Sequence, residues 1–247
     1  MLDDISKALF TIFMNDTMTS LSHGLSSFST RVGPFPAHMH LLETAEGLVL
    51  WSPIHIDETM AERIAELGPV HALVAPNLHH HKFLAEVRAL YPDAKLVLPA
   101  GMDERKAGAA DATLPTVLSK DLELIALAGA PSMEETVAFH VPSRTLVLTD
   151  LLFNVRRADS FMQWLVFRWV SGTLGKAAVS RLWRRFVRDR EAFATSIEAL
   201  LDWPFERIVV AHGEPIESNA KDALVSALRA RGLLASAAVT PMLSPAE

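Results

Sequence analysis

Short apolar segments alternate with amphipathic helical patterns along most of the chain, and this alternation limits the folds that the sequence can adopt. Aliphatic runs bounded by turn residues predict strands; these runs cover residues 37–44, 47–54, 70–76, 95–99, 122–127, 136–141, 145–149 and 207–211. Apolar residues spaced as on a helix predict helices over residues 57–67, 83–90, much of 160–202, and 217–231. A repeated strand–loop–helix–strand order is typical of an α/β fold.

The absence of cysteine restricts the chemistry that the chain can perform. The sequence has 247 residues, ten histidines and no cysteine. Disulfides, thiolate zinc sites, iron–sulfur clusters and cysteine nucleophiles are therefore excluded, and a metal ion would have to be held by His, Asp, Glu or water. The net charge of −6 argues against a dedicated nucleic-acid-binding protein, which is normally basic.

The length and the termini lead to expectations about domains and compartment. We expect one domain over residues 1–247, with a helical insertion at about 158–203 and a frayed tail after residue 234. The first twenty residues begin with acidic side chains, so no export signal is expected. No apolar run approaches the roughly 20 residues that span a bilayer. The expected compartment is the cytoplasm.

Polar residues follow three of the predicted strands at the point where each strand ends. His79, His80 and His81 follow the run at 70–76, Asp150 follows the run at 145–149, and His212 follows the run at 207–211. Ligand sites of open α/β sheets lie at these strand ends. Side chains at i and i+2 of an extended segment point the same way. We therefore expect His79 and His81 to converge, and His80 to point elsewhere.

These residues have a functional interpretation and a purely structural one. Imidazole and carboxylate are ligands that zinc, iron and manganese accept, and a bound divalent ion lowers the pKa of a coordinated water toward about 7. The same residues also suit a solvated histidine loop, a helix cap and a His-Gly turn. Their coincidence at three strand ends favours a metal site made of His79, His81, Asp150 and His212.

The order of the elements resembles the metallo-β-lactamase superfamily, and within it the DUF4336 branch of bacteria and plants. Residues 74–82 resemble the family's His-x-His-x-Asp-His loop, and 127–132 resemble its Gly-His segment. Residues 146–153 resemble the strand that carries its bridging Asp, and 208–215 resemble the segment of its final His. The likeness covers about residues 35–230. It implies an α/β fold of the αββα sandwich type, with two mixed sheets and helices on their outer faces.

The sequence departs from the family pattern at several ligand positions. In the register of the resemblance, Asn77, His81 and Lys82 stand where the family has His, Asp and His, and Ala130 stands at the Gly-His position. Three family positions are kept: His79, Asp150 and His212. A dinuclear site is therefore not expected. Nearby Glu134 and Glu135 are weaker candidates for a substitute oxygen ligand.

Lys82 leaves two alternatives open for the site. Either one divalent ion is bound, with zinc expected before iron or manganese, or the ammonium of Lys82 replaces the metal and neutralises Asp150. The resemblance implies a metal-dependent hydrolase acting on a small-molecule ester, amide or phosphoester. We expect Asp150 and Lys82 to be its catalytic residues, with Lys82 either binding an anionic group of the substrate or tuning the bound water. The alternative is a catalytically degenerate protein of this fold that binds a ligand or a partner protein.

The segment around residues 160–203 combines aromatic and basic residues. Its aromatic side chains are Trp164, Phe167, Trp169, Trp183 and Phe186, and its arginines are Arg168, Arg181, Arg184, Arg185, Arg188 and Arg190. The favoured interpretation is a helical insertion that packs its aromatic face on the sheet, with arginine stems covering the edge. The less favoured alternatives are a lid over the site and an amphipathic element that contacts an anionic membrane or a phosphorylated substrate.

Overall fold

The computed structural model of the protein describes residues 18–234. Its strands are β1 Thr19–Ser22, β2 Leu25–Val32, β3 Phe35–Thr44, β4 Gly47–Trp51, β5 Val70–Val74, β6 Lys95–Leu98, β7 Ala112–Thr113, β8 Leu122–Ala126, β9 Thr136–His140, β10 Thr145–Leu148 and β11 Arg207–Val210. Its α-helices are α1 Glu58–Leu67, α2 Leu84–Leu90, α3 Glu104–Ala107, α4 Phe161–Leu165, α5 Arg181–Phe186, α6 Arg190–Asp202 and α7 Ala220–Ala230. Helix α4 continues as a π-helix over Val166–Val170.

The strands form two mixed sheets. The larger sheet has seven strands in the order β1 to β7, antiparallel from β1 to β4 and parallel from β4 to β7. The smaller sheet has four strands in the order β11-β10-β9-β8, with β10 and β11 parallel and the other pairs antiparallel.

The two sheets pack face to face through aliphatic side chains. Leu42, Val49 and Trp51 of the larger sheet are fully buried in one apolar cluster with Val147 and Val209 of the smaller sheet. Burial on both faces explains why these strands are nearly continuous apolar runs in the sequence.

Helices cover the outer face of each sheet. Buried side chains of α1, α2 and α3 pack on the larger sheet, and those of α6 and α7 pack on the smaller one. The caps are local: the Asp57 carboxylate accepts a hydrogen bond from the Met60 amide at 2.8 Å, which fixes the start of α1. The arrangement is an αββα sandwich, so the predicted fold class is confirmed.

Helix α3 and strand β7, which are only four and two residues long, are not predicted by the sequence patterns, and two longer regions also differ from the expectation. Strands β1 and β2 are not predicted by the sequence patterns, because they are rich in Ser and Thr and lack a clear apolar alternation. The predicted helix at 160–202 is divided into α4 with its π-helix, α5 and α6. The predicted frayed tail after residue 234 lies outside the described residues. Among residues 18–234, no helix combines the length and apolar character needed to cross a membrane.

Gly213 allows the chain after β11 to approach the segment that follows β10. Its φ is +116°, and a Cβ atom built there would lie 2.4 Å from the carbonyl carbon and oxygen of Asn154. Asn154 is held in place by bonds from its amide to the His212 carbonyl at 3.0 Å and from its side chain to the Glu214 carbonyl at 2.7 Å. Neither backbone can move aside without breaking these bonds.

We expect Gly213→Ala to lower the free energy of unfolding by about 2–4 kcal/mol, because it adds a backbone clash to the strain of a positive φ. Gly175→Ala is the matched control: its φ is +93°, but nothing lies within 4 Å of the added Cβ. This control should lose only about 1 kcal/mol. Urea denaturation measures both values, and equal losses would contradict the clash.

Candidate functional site

Three polar side chains meet where the two sheets open at one edge. Leu148 of β10 lies opposite Val210 of β11, so Asp150 and His212, each two residues further on, come together. His212 Nε2 lies 3.1 Å from one oxygen of Asp150, and His80 Nε2 lies 3.3 Å from the other. One ligand atom from each of these three residues lies within 4.8 Å of the other two.

Both histidine rings are fixed through their Nδ1 atoms. His212 Nδ1 lies 2.7 Å from the carbonyl oxygen of Pro36, and His80 Nδ1 lies 2.6 Å from Ser52 Oγ. Because a carbonyl oxygen only accepts, His212 Nδ1 must carry its proton. Nε2 of His212 is then free either to donate a second proton to Asp150 or to direct a lone pair at a cation.

Asn77 ties the histidine turn to Asp150. Its side-chain amide donates to the Asp150 carboxylate at 2.8 Å, and its carbonyl oxygen accepts from the amides of His79 at 2.8 Å and His80 at 3.2 Å. Asn77 is fully buried. Asn77 therefore holds both the histidine turn and the Asp150 carboxylate in place.

The electrostatics of the site favour an ionised Asp150. Burial acts to raise the pKa of Asp150, yet the charge of His80 and the hydrogen bonds from His212 and His80 outweigh it and hold the pKa well below its usual value. Only 15 % of the Asp150 side chain is exposed. A buried carboxylate between two imidazoles is thus poised to bind positive charge.

Glu135 holds the backbone on both sides of Asp150 by hydrogen bonds. One carboxylate oxygen accepts hydrogen bonds from the amides of Thr149 at 3.0 Å and Leu151 at 3.2 Å, the residues on either side of Asp150. The other oxygen accepts from Trp183 Nε1 at 3.1 Å. Burial, together with the charge of Asp150, raises the pKa of Glu135 to about 8. These bonds turn Glu135 toward the backbone and the indole.

The histidine segment is not extended, in contrast to the prediction from its residue spacing, but forms turns. Residues 78–83 form turns, so the alternation of an extended chain does not apply, and His80 reaches Asp150. His79 lines the neighbouring cavity. His81 turns back, with Nδ1 2.9 Å from the Leu78 carbonyl oxygen. Nothing in the sequence distinguishes the three histidines before the turn is known.

Three other residues singled out in the sequence lie outside the cluster. Lys82 lines the cavity, with Nζ 4.8 Å from the centre of the Phe83 ring, and among residues 18–234 no ion pair joins it to Asp150. Glu134 accepts a hydrogen bond from the Gly101 amide at 2.8 Å. Ala130 is buried in the core of the smaller sheet.

A cavity of about 490 Å³ opens onto the cluster. His80, Asp150 and His212 form its polar end, and Lys82 lies on its wall. The remaining walls are mostly apolar and include Phe35, Phe83, Phe153, Val166, Leu182 and Phe186. Phe153 also stacks on the His212 ring, with centroids 4.8 Å apart. A ligand would meet apolar walls and then a short polar end.

The architecture matches that of solved metallo-β-lactamases. A metallo-β-lactamase from Pontibacter korlensis shares 16 % identity at a TM-score of 0.58, covering 86 % of this chain and 98 % of that chain. The enzyme from Erythrobacter litoralis shares 15 % identity at a TM-score of 0.59, covering 90 % and 95 %. The chain has the metallo-β-lactamase fold.

A third similar structure of this fold is FIM-1 from Pseudomonas aeruginosa in its mono-zinc form. It shares 12 % identity at a TM-score of 0.58, covering 87 % of this chain and 96 % of that chain. No protein-family profile matches the sequence, and no curated protein is similar to it in sequence. The likeness therefore shows the fold, and membership of the DUF4336 branch stays a prediction.

Two histidines of β3 lie behind His212, the half-buried His38 and the buried His40. The rings of His38 and His40 are stacked with centroids 6.4 Å apart, and Ser27 Oγ lies 2.6 Å from His40 Nδ1. Burial, with the charge of His212 as a further cause, lowers the pKa of His38 to about 4. Burial, with the charge of His38, lowers the pKa of His40 to about 3. Both rings are therefore neutral in the folded protein at neutral pH.

The His40→Asn variant tests the lowered pKa of His40 through the stability of the protein below neutral pH. The unfolded chain takes up a proton on His40 near pH 6.5 and the folded chain only near pH 3, so wild-type stability falls as the pH drops through that window. Asn keeps a polar atom near the Nδ1 position but does not titrate, so we expect a smaller loss of stability between pH 6.5 and pH 4. The exposed His23→Asn variant should follow the wild type. Urea denaturation across this range measures the difference, and parallel curves for His40→Asn and wild type would contradict it.

Proposed function

We propose that the protein is a metal-dependent hydrolase with one divalent ion held by His80, Asp150 and His212. The observation that carries the proposal is the convergence of three ligand atoms within 4.8 Å, with both imidazoles fixed through Nδ1. A hydrogen bond at the far nitrogen of a ligating histidine sets its tautomer and ring orientation. The site thus has the outer support that metal ligands require.

The donor set fits a catalytic metal. Two imidazoles and a carboxylate suit zinc, with iron and manganese also accepted, and three protein ligands leave a coordination position open. When bound, such an ion supplies Lewis-acid activation for hydrolysis of an ester, amide or phosphoester. Because Lys82 lines the cavity, we infer that its ammonium binds an anionic group of the substrate.

Two features of the sequence hypothesis remain as alternatives. The ligand set predicted from the sequence, which has His79 and His81 in place of His80, would require the turn at 78–83 to rearrange. A catalytically degenerate, ligand-binding protein is favoured by the bonds that Asp150 already makes, since Asn77, His80 and His212 contact it.

Metal analysis of untagged protein separates these alternatives. We expect about one ion per chain in the wild type, and at least tenfold weaker metal binding in His80→Ala, which removes a ligand, and in Asp150→Asn, which removes the charge of one. His81→Ala is the matched control and should bind metal as the wild type does. Loss of metal in His81→Ala but not in His80→Ala would favour the set with His79 and His81, and a metal-free wild type after supplementation would contradict the proposal.

Hydrolysis assays test the catalytic part. On a panel of esters, lactones and phosphodiesters with zinc or manganese added, we expect Asp150→Asn to lower kcat/KM by more than about 100-fold, because the site loses a charged ligand. Lys82→Gln should raise KM about tenfold for anionic substrates with little change in kcat. Activity that survives Asp150→Asn would place the reaction elsewhere in the protein. No activity with any of the metals and substrates would favour the ligand-binding alternative.

A further inference from the structure

A concentrated apolar surface lies beside the cavity. Ten large apolar side chains among residues 18–234 are exposed, and seven of them lie between Phe161 and Leu182: Phe161, Met162, Trp164, Leu165, Trp169, Val170 and Leu182. Phe161 is 74 % exposed and Trp169 is 59 % exposed. Scattered exposed apolar residues are ordinary, but a cluster of this kind marks an interaction surface. We refer to these seven residues as the aromatic surface.

Three rings of the aromatic surface contact one another, and the same segment also has a buried apolar side. The rings of Phe161 and Trp164 stack with centroids 5.8 Å apart, and the rings of Trp164 and Trp169 meet edge to face at 6.4 Å. Phe167 and Trp183 of the same region are buried in the protein. The helices of this segment therefore have one apolar face that packs against the protein and a second apolar face that is exposed.

The aromatic surface surrounds one side of the cavity mouth. Val170 and Leu182 belong to it and also line the cavity. The apolar interior of the cavity is thus continuous with the apolar exterior. Whatever covers the aromatic surface also faces the entrance to the candidate site.

The charge of this region is opposite to that of the rest of the chain. Residues 156–188 contain eight Lys and Arg and one Asp, a net charge of +7, in a chain of net charge −6, so the remainder carries −13. The Arg168 guanidinium lies 5.6 Å from the centre of the Trp169 ring. Among residues 18–234, no ion pair neutralises Arg168, Arg184 or Arg185, whereas Asp159 pairs with Arg31.

Cations are also crowded at the base of α5. Arg231 donates hydrogen bonds to the carbonyl oxygens of Val179 at 2.6 Å and Gly172 at 2.6 Å. Burial, together with the charges of Arg181 and Arg184, lowers the pKa of Arg231. Unneutralised cations beside an apolar surface favour an anionic partner.

We propose that the aromatic surface and its flanking arginines dock the protein onto an anionic membrane surface. Trp and Phe side chains are favoured at the membrane interface, and Lys and Arg are attracted by anionic headgroups. The acidic remainder of the chain is repelled by the same headgroups, so the charge asymmetry orients the protein with the cavity mouth toward the lipid.

A second copy of the chain fits this surface less well. In a symmetric dimer the same patch meets itself, so the seven net positive charges of residues 156–188 would face the same seven charges of the partner. Anionic lipids remove that repulsion. The docking does not rest on the proposed hydrolase and should persist in Asp150→Asn.

Vesicle flotation with the full chain tests the proposal. We expect binding to phosphatidylcholine vesicles with about one-third phosphatidylglycerol, much weaker binding to pure phosphatidylcholine, and release by high salt. Arg184→Gln combined with Arg185→Gln should weaken binding about 30-fold, because each basic residue near the surface contributes about a 5-fold factor. Trp164→Ala combined with Trp169→Ala should weaken it at least about tenfold.

Matched controls lie away from the aromatic surface. Val117→Ala removes part of another exposed apolar side chain, and Lys95→Gln combined with Lys120→Gln removes two exposed cations. These variants should bind vesicles as the wild type does, and thermal unfolding checks that all variants are folded.

Three results would overturn the proposal. The first is that the protein binds neither kind of vesicle, and the second is that control and surface variants lose the same amount of vesicle binding. The third is that the protein forms a concentration-dependent dimer, which the Trp164→Ala and Trp169→Ala double variant dissociates. The last result would assign the surface to a second copy of the chain.

Discussion

Parallel strands β10 and β11 pair in register, and the positions of Asp150 and His212 at the centre of the candidate site follow from that pairing. Because Leu148 lies opposite Val210, Asp150 and His212 are brought within 3.1 Å of each other. Asn77 and His80 then reach the same carboxylate from the chain that follows β5 in the other sheet. Polar contacts at one edge therefore complement the apolar core between the sheets. A register shift of one residue would turn one partner to the opposite face.

The sequence predicts most of the fold and only part of the site, for physical reasons. Aliphatic strands buried on both faces give strong local signals, and polar residues after three of them mark the edge where Asp150 and His212 meet. Ser-rich β2 gives no such signal, because its buried hydroxyls are satisfied by tertiary partners, as Ser27 is by His40. The choice of His80 depends on the turn at 78–83, which tertiary bonds from Asn77 stabilise.

The helical segment shows a second limit of sequence patterns. Trp and Phe residues around α4 and α5 are spread over more than one helical face, and amphipathicity alone does not identify the buried one. Phe167 and Trp183 pack inward as the favoured interpretation expects, whereas Trp164 and Trp169 are exposed. The breaks near Ser171 and Gly172 redirect the chain, and Arg231 secures that redirection from α7's end by its bond to Gly172.

Trp183 connects the apolar end of the cavity to its polar end. Its indole lines the cavity, and its Nε1 donates to Glu135, which in turn holds the two amides that flank Asp150. A ligand that tilts the indole must lengthen its hydrogen bond to Glu135. In the other direction, a displacement of the Asp150 backbone shifts Glu135 and, through it, the indole. Occupancy of the apolar walls and the position of Asp150 are therefore linked through two hydrogen-bonded side chains, Trp183 and Glu135.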